Sequence, residues 1–209
     1  MTKPGLILIG AGGHAHACID AVEEQGSFQI AGLVGLPSQR RDTLMGYPVI
    51  GDDSELLELA KIYQYALVAT GQILTARHRA RLFQQCMDAG FQLPIIVAPT
   101  AHVSKRARLG KGCIVMHGAI INAGATVGNN CIVNTHSLLE HDVIVRDHCH
   151  ISTGAIVNGG AIIDSGTFIG SACVIKERVE IGKGCVVGMG LSVRHNLSDH
   201  SHFLGRADT

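Results

Sequence analysis

Residues 113–133 read CIVMHGAIINAGATVGNNCIV, and an aliphatic residue recurs in this stretch at every sixth position. The six-residue step continues in both directions from Val97 to Val193. Its seventeen positions are Val97, Val103, Leu109, Val115, Ile121, Val127, Val133, Leu139, Val145, Ile151, Val157, Ile163, Ile169, Ile175, Ile181, Val187 and Val193. Aliphatic residues make up about a quarter to a third of ordinary sequences, so chance does not give such a run. A fixed short period predicts a solenoid, in which each repeat packs on its neighbours.

A second pattern accompanies the first, because the residue four positions after each aliphatic is usually small. These small residues are Ala101, Ala107, Cys113, Ala119, Ala125, Cys131, Ser137, Cys149, Ala155, Ala161, Thr167, Cys173 and Cys185. Five of the seven cysteines are thus predicted to be small core residues. The chain has no C-x-x-C motif, which favours buried thiols over zinc ligands or disulfides.

The region before the repeats has a different organisation. Apolar runs at 6–10, 28–35 and 65–70 predict strands, and helical spacing of apolar residues at 14–24, 53–62 and 75–89 predicts the helices between them. Residues 46–51 are either a further strand or a turn. We therefore expect a Rossmann-like α/β domain with a small parallel sheet over residues 1–96 and an all-β solenoid over residues 97–209.

Composition excludes several classes of partner. Seventeen basic and seventeen acidic side chains cancel, so no charged surface for nucleic acid or anionic membrane is expected. The N-terminus is unlike a signal peptide, and no run of about 18 apolar residues is present. We expect a soluble cytoplasmic protein with a small-molecule partner.

The turn GAGGHA (10–15) follows a predicted strand and opens a predicted helix, so Gly10, Gly12 and Ala15 fit G-x-G-x-x-[GA]. A nicotinamide site requires an acidic residue about 20 positions later, where this chain has Val34 and Gly35. Two interpretations stay open: the turn binds the diphosphate of another ligand, or its glycines only tighten the connection between strand and helix.

Residues 133–152, VNTHSLLEHDVIVRDHCHIS, contain four histidines beside three carboxylates. Such a cluster suits a metal site, a proton-transfer site or a solvated polar surface. The six-residue step places His141 at an outward corner of the solenoid and His150 at the end of the next repeat, and neither is predicted to belong to the core.

The repeats resemble those of the hexapeptide-repeat transferases, whose fold is a left-handed parallel β-helix with three repeats in each 18-residue coil. Together with GAGGHA and LEHD followed nine residues later by a histidine, they resemble the bacterial sugar acetyltransferases. That family includes sialic acid O-acetyltransferases and N-acetyltransferases of UDP-4-amino sugars. The resemblance implies acetyl-CoA as donor and a homotrimer with its sites between neighbours. It also implies N-acetylation of a UDP-4-amino-4,6-dideoxy sugar in surface-glycan biosynthesis, with O-acetylation of sialic acid or a related nonulosonic acid as the alternative.

The same resemblance implies roles for individual residues. His141 would be the general base, and Asp142 would raise its basicity. His150 would contact the acetyl end of acetyl-CoA, and either it or a backbone N–H would stabilise the oxyanion. The other implied contacts are Gly159, Ser171 and Met189 for the cofactor and Gly12, Gly13 and His14 for the nucleotide sugar; no metal is implied. Imidazole suits the role of base, because its proton affinity is matched to neutral pH.

Two other classes of function share features with this sequence. Carbonic anhydrases with a β-helix bind zinc through three histidines, two of them spaced like His136 and His141. The third ligand is then expected two coils earlier, where Thr100 and Lys105 stand instead. A purely structural solenoid is expected to have regular polar ladders on one face, and here the outward positions are irregular.

Overall fold

The computed structural model describes residues 2–205. The chain forms two compact units, which are described separately below. The first unit comprises the residues up to Gly71 and His78–Pro99, and the second comprises Gln72–Arg77 and the residues from Thr100 onward. The short segment 72–77 therefore packs with the solenoid although it lies between elements of the α/β unit. Nothing in the repeat pattern indicated this.

The first unit is built on a five-stranded sheet with the order β3-β4-β2-β1-β5. Its elements are β1 (Gly5–Ile9), α1 (Gly13–Gln25), β2 (Gln29–Gly35), β3 (Thr43–Leu44), β4 (Tyr47–Asp52), α2 (Leu56–Leu59), β5 (Tyr65–Val68) and α3 (Arg77–Ala89), with 3₁₀ helices at Pro37–Gln39 and Asp53–Glu55. The predicted small parallel sheet is corrected in one respect, because β3 runs antiparallel to β4. Residues 46–51, for which a strand or a turn was predicted, lie mostly in the parallel strand β4.

The burial of strand β1 explains why this sheet forms. Leu6, Ile7, Leu8 and Ile9 are all fully buried, as expected for a strand covered on both faces. Helix α1 ends at Gly26, whose φ of 71° lets its N–H bond to the Val22 carbonyl oxygen. Because β1 and β2 are parallel neighbours, their carboxyl ends lie at the same edge of the sheet. The glycine-rich turn between β1 and α1 begins at this edge.

The predicted repeats form two-residue strands, and each strand from β6 (Ile96–Val97) to β22 (Ser192–Val193) ends on an aliphatic of the six-residue series. The strands are β6 (Ile96–Val97, which the contacts group with the first unit), β7 (His102–Val103), β8 (Arg108–Leu109), β9 (Ile114–Val115), β10 (Ile120–Ile121), β11 (Thr126–Val127), β12 (Ile132–Val133), β13 (Leu138–Leu139), β14 (Ile144–Val145), β15 (His150–Ile151), β16 (Ile156–Val157), β17 (Ile162–Ile163), β18 (Phe168–Ile169), β19 (Val174–Ile175), β20 (Glu180–Ile181), β21 (Val186–Val187), β22 (Ser192–Val193) and β23 (His202–Phe203).

The strands stack into three parallel sheets, which form the faces of a triangular prism. The first face contains β7, β10, β13, β16, β19 and β22, the second contains β8, β11, β14, β17 and β20, and the third contains β9, β12, β15, β18, β21 and β23. Each residue pairs with the one 18 positions later, for example Ile120 with Leu138. The predicted fold class, an α/β unit followed by a left-handed parallel β-helix, is confirmed.

Two corners of the prism matter for the site. The His141 corner joins the first face to the second and consists of residues 122–124, 140–142 and 158–160. The Ser171 corner joins the third face to the first and consists of residues 134–136, 152–154, 170–172 and 188–190. The corners follow from the strand bounds, since four residues separate consecutive strands and the first three of the four form the corner.

The chain after Val193 leaves the six-residue step but still packs on the last coil. The N–H groups of Gly182 and Val186 donate to the carbonyl oxygens of Leu197 and Ser201, at 2.8 and 2.9 Å. Residues 206–209 of the C-terminal stretch lie outside the described residues. None of the helices within residues 2–205 has the length and apolar character that a membrane crossing needs.

Candidate active site

The imidazole of His141 and the carboxylate of Asp142 form a pair at the His141 corner. Their Nδ1 and Oδ2 atoms lie 3.0 Å apart, and the two side chains are 67% and 72% exposed. Because a carboxylate only accepts, the proton of the neutral imidazole lies on Nδ1 and the lone pair on Nε2. The pair is thus arranged to accept a proton from a molecule outside the prism. In the single chain the attraction between the two groups is weakened by water.

Two glycines make room for this pair. A Cβ atom on Gly159 would lie 2.5 Å from His141 Nε2, and one on Gly124 would lie 2.2 Å from Asp142 Oδ1. Neither distance is sterically possible without movement of the pair. The structure therefore brings Gly159, expected from the sequence to contact the cofactor, directly beside the imidazole.

Asp142 also has an unusual backbone conformation. Its φ is 59°, in the left-handed region that side chains rarely adopt, and glycine occupies the equivalent corner positions 124 and 160. Asn130, His136 and His148 share this conformation, with φ of 54°, 55° and 60°. Aspartate and asparagine tolerate the left-handed region better than most residues, yet the conformation still costs free energy. Non-glycine residues at four successive corners single out this part of the prism.

His150, which was predicted to end a repeat and not to belong to the core, lies on the third face. Its side chain is outside the aliphatic interior but only 7% exposed, because the segment 72–77 covers it. Its Nδ1 lies 2.8 Å from the Gln72 carbonyl oxygen, and its Nε2 lies 3.1 Å from Asn134 Nδ2. Sequence reasoning missed both partners, since Gln72 is 78 residues away in the chain.

Ser171 and Met189 lie at the Ser171 corner, one coil apart. The hydroxyl of Ser171 is 2.9 Å from that of Ser152, and the side chain of Met189 is 80% exposed. Among residues 2–205, no atom outside the neighbouring residues stands within 4 Å of where a Cβ would be placed on Gly154 or Gly190. This corner therefore has an open surface with hydroxyl and thioether groups, which fits an extended, partly apolar ligand such as the thiol arm of CoA.

The glycine-rich turn of the first unit fits an anion. Gly12 precedes α1 and has no side chain to cap it, so the first N–H groups of this helix are available to a ligand. In the described part of the chain, nothing lies within 4 Å of a Cβ on Gly12 or Gly13. Gly10 must be glycine, because its φ is 129° and a Cβ would lie 2.8 Å from Thr70 Cγ2. His14 lies in the first turn of α1 and packs beside Gly71.

A cavity of about 270 Å³ opens in front of this turn. It is lined by Gly10, Ala11, Gly12, Val34, Gly35, Leu36, Gln39, Asp53, Thr70, His78 and Leu82. A Cβ on Gly35 would lie 2.9 Å from Gln39 Oε1, so a larger residue at position 35 would require the Gln39 side chain to move. Gln39 Nε2 donates to the Ala11 carbonyl oxygen at 3.2 Å and so occupies that space.

The cysteines of the prism are buried and do not reach this site. Each of the five donates its Sγ–H to a backbone carbonyl, as Cys131 does to Arg146 at 3.1 Å. Burial raises the pKa of the Cys131 thiol well above its usual range and also raises the pKa values of Cys173 and Cys185. A thiol with a raised pKa is protonated at neutral pH, so these residues are poor nucleophiles.

The histidine pair that suggested zinc lies at two different corners. His136 belongs to the Ser171 corner, where its ring packs over Gly118, and His141 belongs to the next corner of the same coil. Within residues 2–205 no group of three or more histidine, cysteine, aspartate or glutamate side chains is arranged to hold a metal ion.

Comparison with known proteins gives consistent matches. The family model of the PglD N-terminal domain matches residues 5–85. A histidine-to-alanine variant of the GDP-perosamine N-acetyltransferase of Caulobacter crescentus, solved with CoA and GDP-perosamine, is 33% identical, with a TM-score of 0.88 over 93% of this chain and 90% of that one. The acetyltransferase domain of PglB from Neisseria gonorrhoeae, solved with acetyl-CoA, is 29% identical, with a TM-score of 0.86 over 94% of each chain. A search of curated proteins found no significant match.

A triangular β-helix of six-residue repeats with a histidine–carboxylate pair at one corner defines a hexapeptide-repeat acyltransferase. Within that class, the chain belongs to the PglD-type family of sugar acetyltransferases. The expected enzyme class, an acetyl-CoA-dependent sugar N-acetyltransferase, and the expected acetyl donor are confirmed.

Proposed function

We propose that this protein transfers the acetyl group of acetyl-CoA to the amine of a nucleotide-linked amino sugar used for bacterial surface glycans, with His141 as general base. The observation that carries the proposal is the His141–Asp142 pair, held at 3.0 Å over the glycine at position 159. It supplies an exposed imidazole lone pair on a prism whose family transfers acetyl groups to sugars.

The proposed chemistry follows from the orientation of the imidazole. Bound acetyl-CoA supplies an activated thioester carbonyl. As the sugar amine attacks that carbonyl, Nε2 of His141 accepts the proton that the amine loses. The C–N bond forms, the C–S bond of the thioester breaks, and the departing CoA thiolate takes the proton from the imidazolium. Asp142, on the opposite nitrogen, keeps the proton on Nδ1 and stabilises the imidazolium that forms. No covalent enzyme intermediate is required, in agreement with the burial of the five thiols of the prism.

A homotrimer is part of the proposal, because the two sets of residues lie at different corners of one prism. The proposed base is at the His141 corner, while Ser171, Met189 and the adjacent His150 are at or beside the Ser171 corner. The first face lies between these corners, and the middle of its outward column is formed by Ile120, Leu138, Ile156 and Val174 in register. Ile120 and Val174 are exposed in the single chain. A neighbouring prism that covers this column would bring one protomer's base to the other protomer's cofactor residues.

The shared site can be tested by complementation between two damaged variants. One variant carries His141→Ala, and the other carries His150→Ala with Ser171→Ala. If each site combines residues of two neighbours, co-expressed mixed trimers regain activity in about a quarter of their sites, because two independent choices must both be correct. Acetyl transfer is measured at low acetyl-CoA, where each variant alone is nearly inactive. No recovery, or a monomer by light scattering at micromolar concentration, contradicts the shared site.

The nucleotide is proposed to bind at the glycine-rich turn. Gly12, Gly13 and His14 would hold the diphosphate at the start of α1, and the 270 Å³ cavity beside Val34 and Gly35 would take the nucleoside. The family resemblance favours a UDP-4-amino-4,6-dideoxy sugar, whereas the relative from Caulobacter was solved with GDP-perosamine. Both are nucleoside diphosphates linked to a sugar, so the proposed binding mode is the same.

A direct assay distinguishes the acceptors. The protein is incubated with acetyl-CoA and, in turn, UDP-4-amino-4,6-dideoxy sugars, GDP-perosamine, free sialic acid and CMP-sialic acid, and release of the CoA thiol is recorded. We expect release with at least one nucleotide-linked amino sugar and an N-acetyl group in its product by mass spectrometry. Release with sialic acids alone would replace N-acetylation by O-acetylation. No release with any amino sugar contradicts the proposal.

A further inference from the structure

Gln72 is the first residue of the segment 72–77, and its main-chain carbonyl oxygen lies against His150. We propose that Gln72 is a positioning residue of the acetyl-transfer site, whose main-chain carbonyl oxygen holds His150 in the tautomer with its proton on Nδ1. The tautomer follows from geometry alone, and only its kinetic consequence rests on the function proposed above.

The Nδ1 side of the ring determines where the proton lies. Nδ1 is 2.8 Å from the Gln72 carbonyl oxygen, and this contact is buried. A carbonyl oxygen has lone pairs and no proton, so a hydrogen bond at this distance requires an N–H on the imidazole. His150 therefore donates from Nδ1.

The Nε2 side gives the same result independently. The Oδ1 atom of Asn134 accepts from the Thr135 N–H at 2.8 Å, which fixes which end of the amide is nitrogen. Asn134 Nδ2 then faces His150 Nε2 at 3.1 Å and donates to it. A doubly protonated imidazole would place two N–H groups against each other here, which is repulsive. His150 is thus neutral, with an accepting Nε2.

The carbonyl of Gln72 is held in place by its own side chain. Nε2 of Gln72 donates to the Gly166 carbonyl oxygen at 3.1 Å, and the residue is only 4% exposed. Ala76 packs on the same glycine, 3.5 Å from where a Cβ would stand. The intervening Ile73 and Leu74 are 65% and 68% exposed and contribute little. Gln72 is consequently the polar anchor at the start of this segment.

The consequence for the site is that the side-chain amide of Asn134 has one fixed orientation. Because His150 accepts one hydrogen of Asn134 Nδ2 and Thr135 holds the other end, the second Nδ2 hydrogen has a single direction and stays available to a carbonyl oxygen of the cofactor. His150 therefore orients a donor and does not itself donate to the cofactor, which replaces the expectation that it stabilises the oxyanion directly. Preorganised donors of this kind favour the bound state, since no reorganisation is needed.

The tautomer is measured on the wild-type protein by NMR of ¹⁵N-labelled histidine. The signals of His150 are assigned by their disappearance in His150→Gln. We expect a protonated Nδ1 and an unprotonated Nε2 near neutral pH. A protonated Nε2 overturns the proposal, and this measurement needs neither activity nor a Gln72 variant that folds.

The role of the anchor is tested with Gln72→Met, which keeps the volume and removes the donor, against Leu74→Met on the exposed part of the segment. In Gln72→Met we expect a mixture of His150 tautomers and a rise in KM for acetyl-CoA of roughly three- to tenfold, the range for one lost hydrogen bond, with kcat changed less than about twofold. Leu74→Met should change neither. An unchanged tautomer and KM in Gln72→Met contradict the positioning role. Absence of acetyl transfer by the wild type contradicts the proposed function and leaves the tautomer result intact.

Discussion

His141→Ala is expected to slow acetyl transfer by about 10²–10⁴-fold, the usual range for loss of a general base. The proposed base touches the acceptor and not the body of the cofactor, so the dissociation constant for acetyl-CoA should change little. Single-turnover rates and acetyl-CoA titrations separate these two quantities. Near-full turnover of His141→Ala with every acceptor that the wild type uses would sink the assignment, and His14 would become the leading candidate.

Three companion variants sharpen this test. Asp142→Asn should cost less than His141→Ala, because it removes the orienting charge and leaves the imidazole. His150→Ala should mainly raise KM for acetyl-CoA, since it disturbs the Asn134 amide. His16→Ala is the matched control, as His16 is exposed on α1, and it should leave turnover unchanged.

Gly159→Ala is expected to lower kcat by up to about 10²-fold while the fold is retained. The new Cβ would lie 2.5 Å from His141 Nε2, and the backbone of residue 159 is not in the left-handed region. Since the clash is with the end of an exposed side chain, the imidazole can rotate away at little cost to folding. A misplacement of about 1 Å in a reacting group can cost this much in rate.

The control for this substitution is Gly5→Ala, where the added Cβ meets Ala31 and Tyr63 at 3.8 Å, an ordinary contact. Both variants should melt close to the wild-type temperature, and only Gly159→Ala should lose turnover. If Gly159→Ala keeps full kcat, the position of His141 over Gly159 is not the one used in catalysis.

The prism could be predicted from the sequence because its interactions are local and repeated. Every strand from β6 to β22 ends on an aliphatic of the six-residue series, and the five cysteines on the small-residue positions are buried as predicted. The elements of the α/β unit were harder to predict from the sequence. The predicted helix at 53–62 is a 3₁₀ turn followed by the four-residue α2, and β3 has only two residues, too few for a periodic signal.

The candidate site was predictable only in part, for a physical reason. His141 lies at a corner, and the six-residue step indicates corners directly. The environment of His150 depends instead on Gln72, a residue outside the repeats, so no periodicity could indicate its burial or its tautomer. Asn134 was overlooked because an asparagine at a corner is common, and its significance comes only from its bond to His150.

The constant pairing of each residue with the one 18 positions later gives every coil of the prism the same length along the axis. One coil adds about 4.8 Å along the axis, the spacing between neighbouring strands. Insertion of a complete coil between His141 and Ser171 would preserve every pairing register while it lengthens the span between base and cofactor residues by that increment. Deletion of a complete coil before position 122 would shorten the prism and leave that span unchanged. The distance between the base and the cofactor residues can therefore be changed independently of the overall length of the prism.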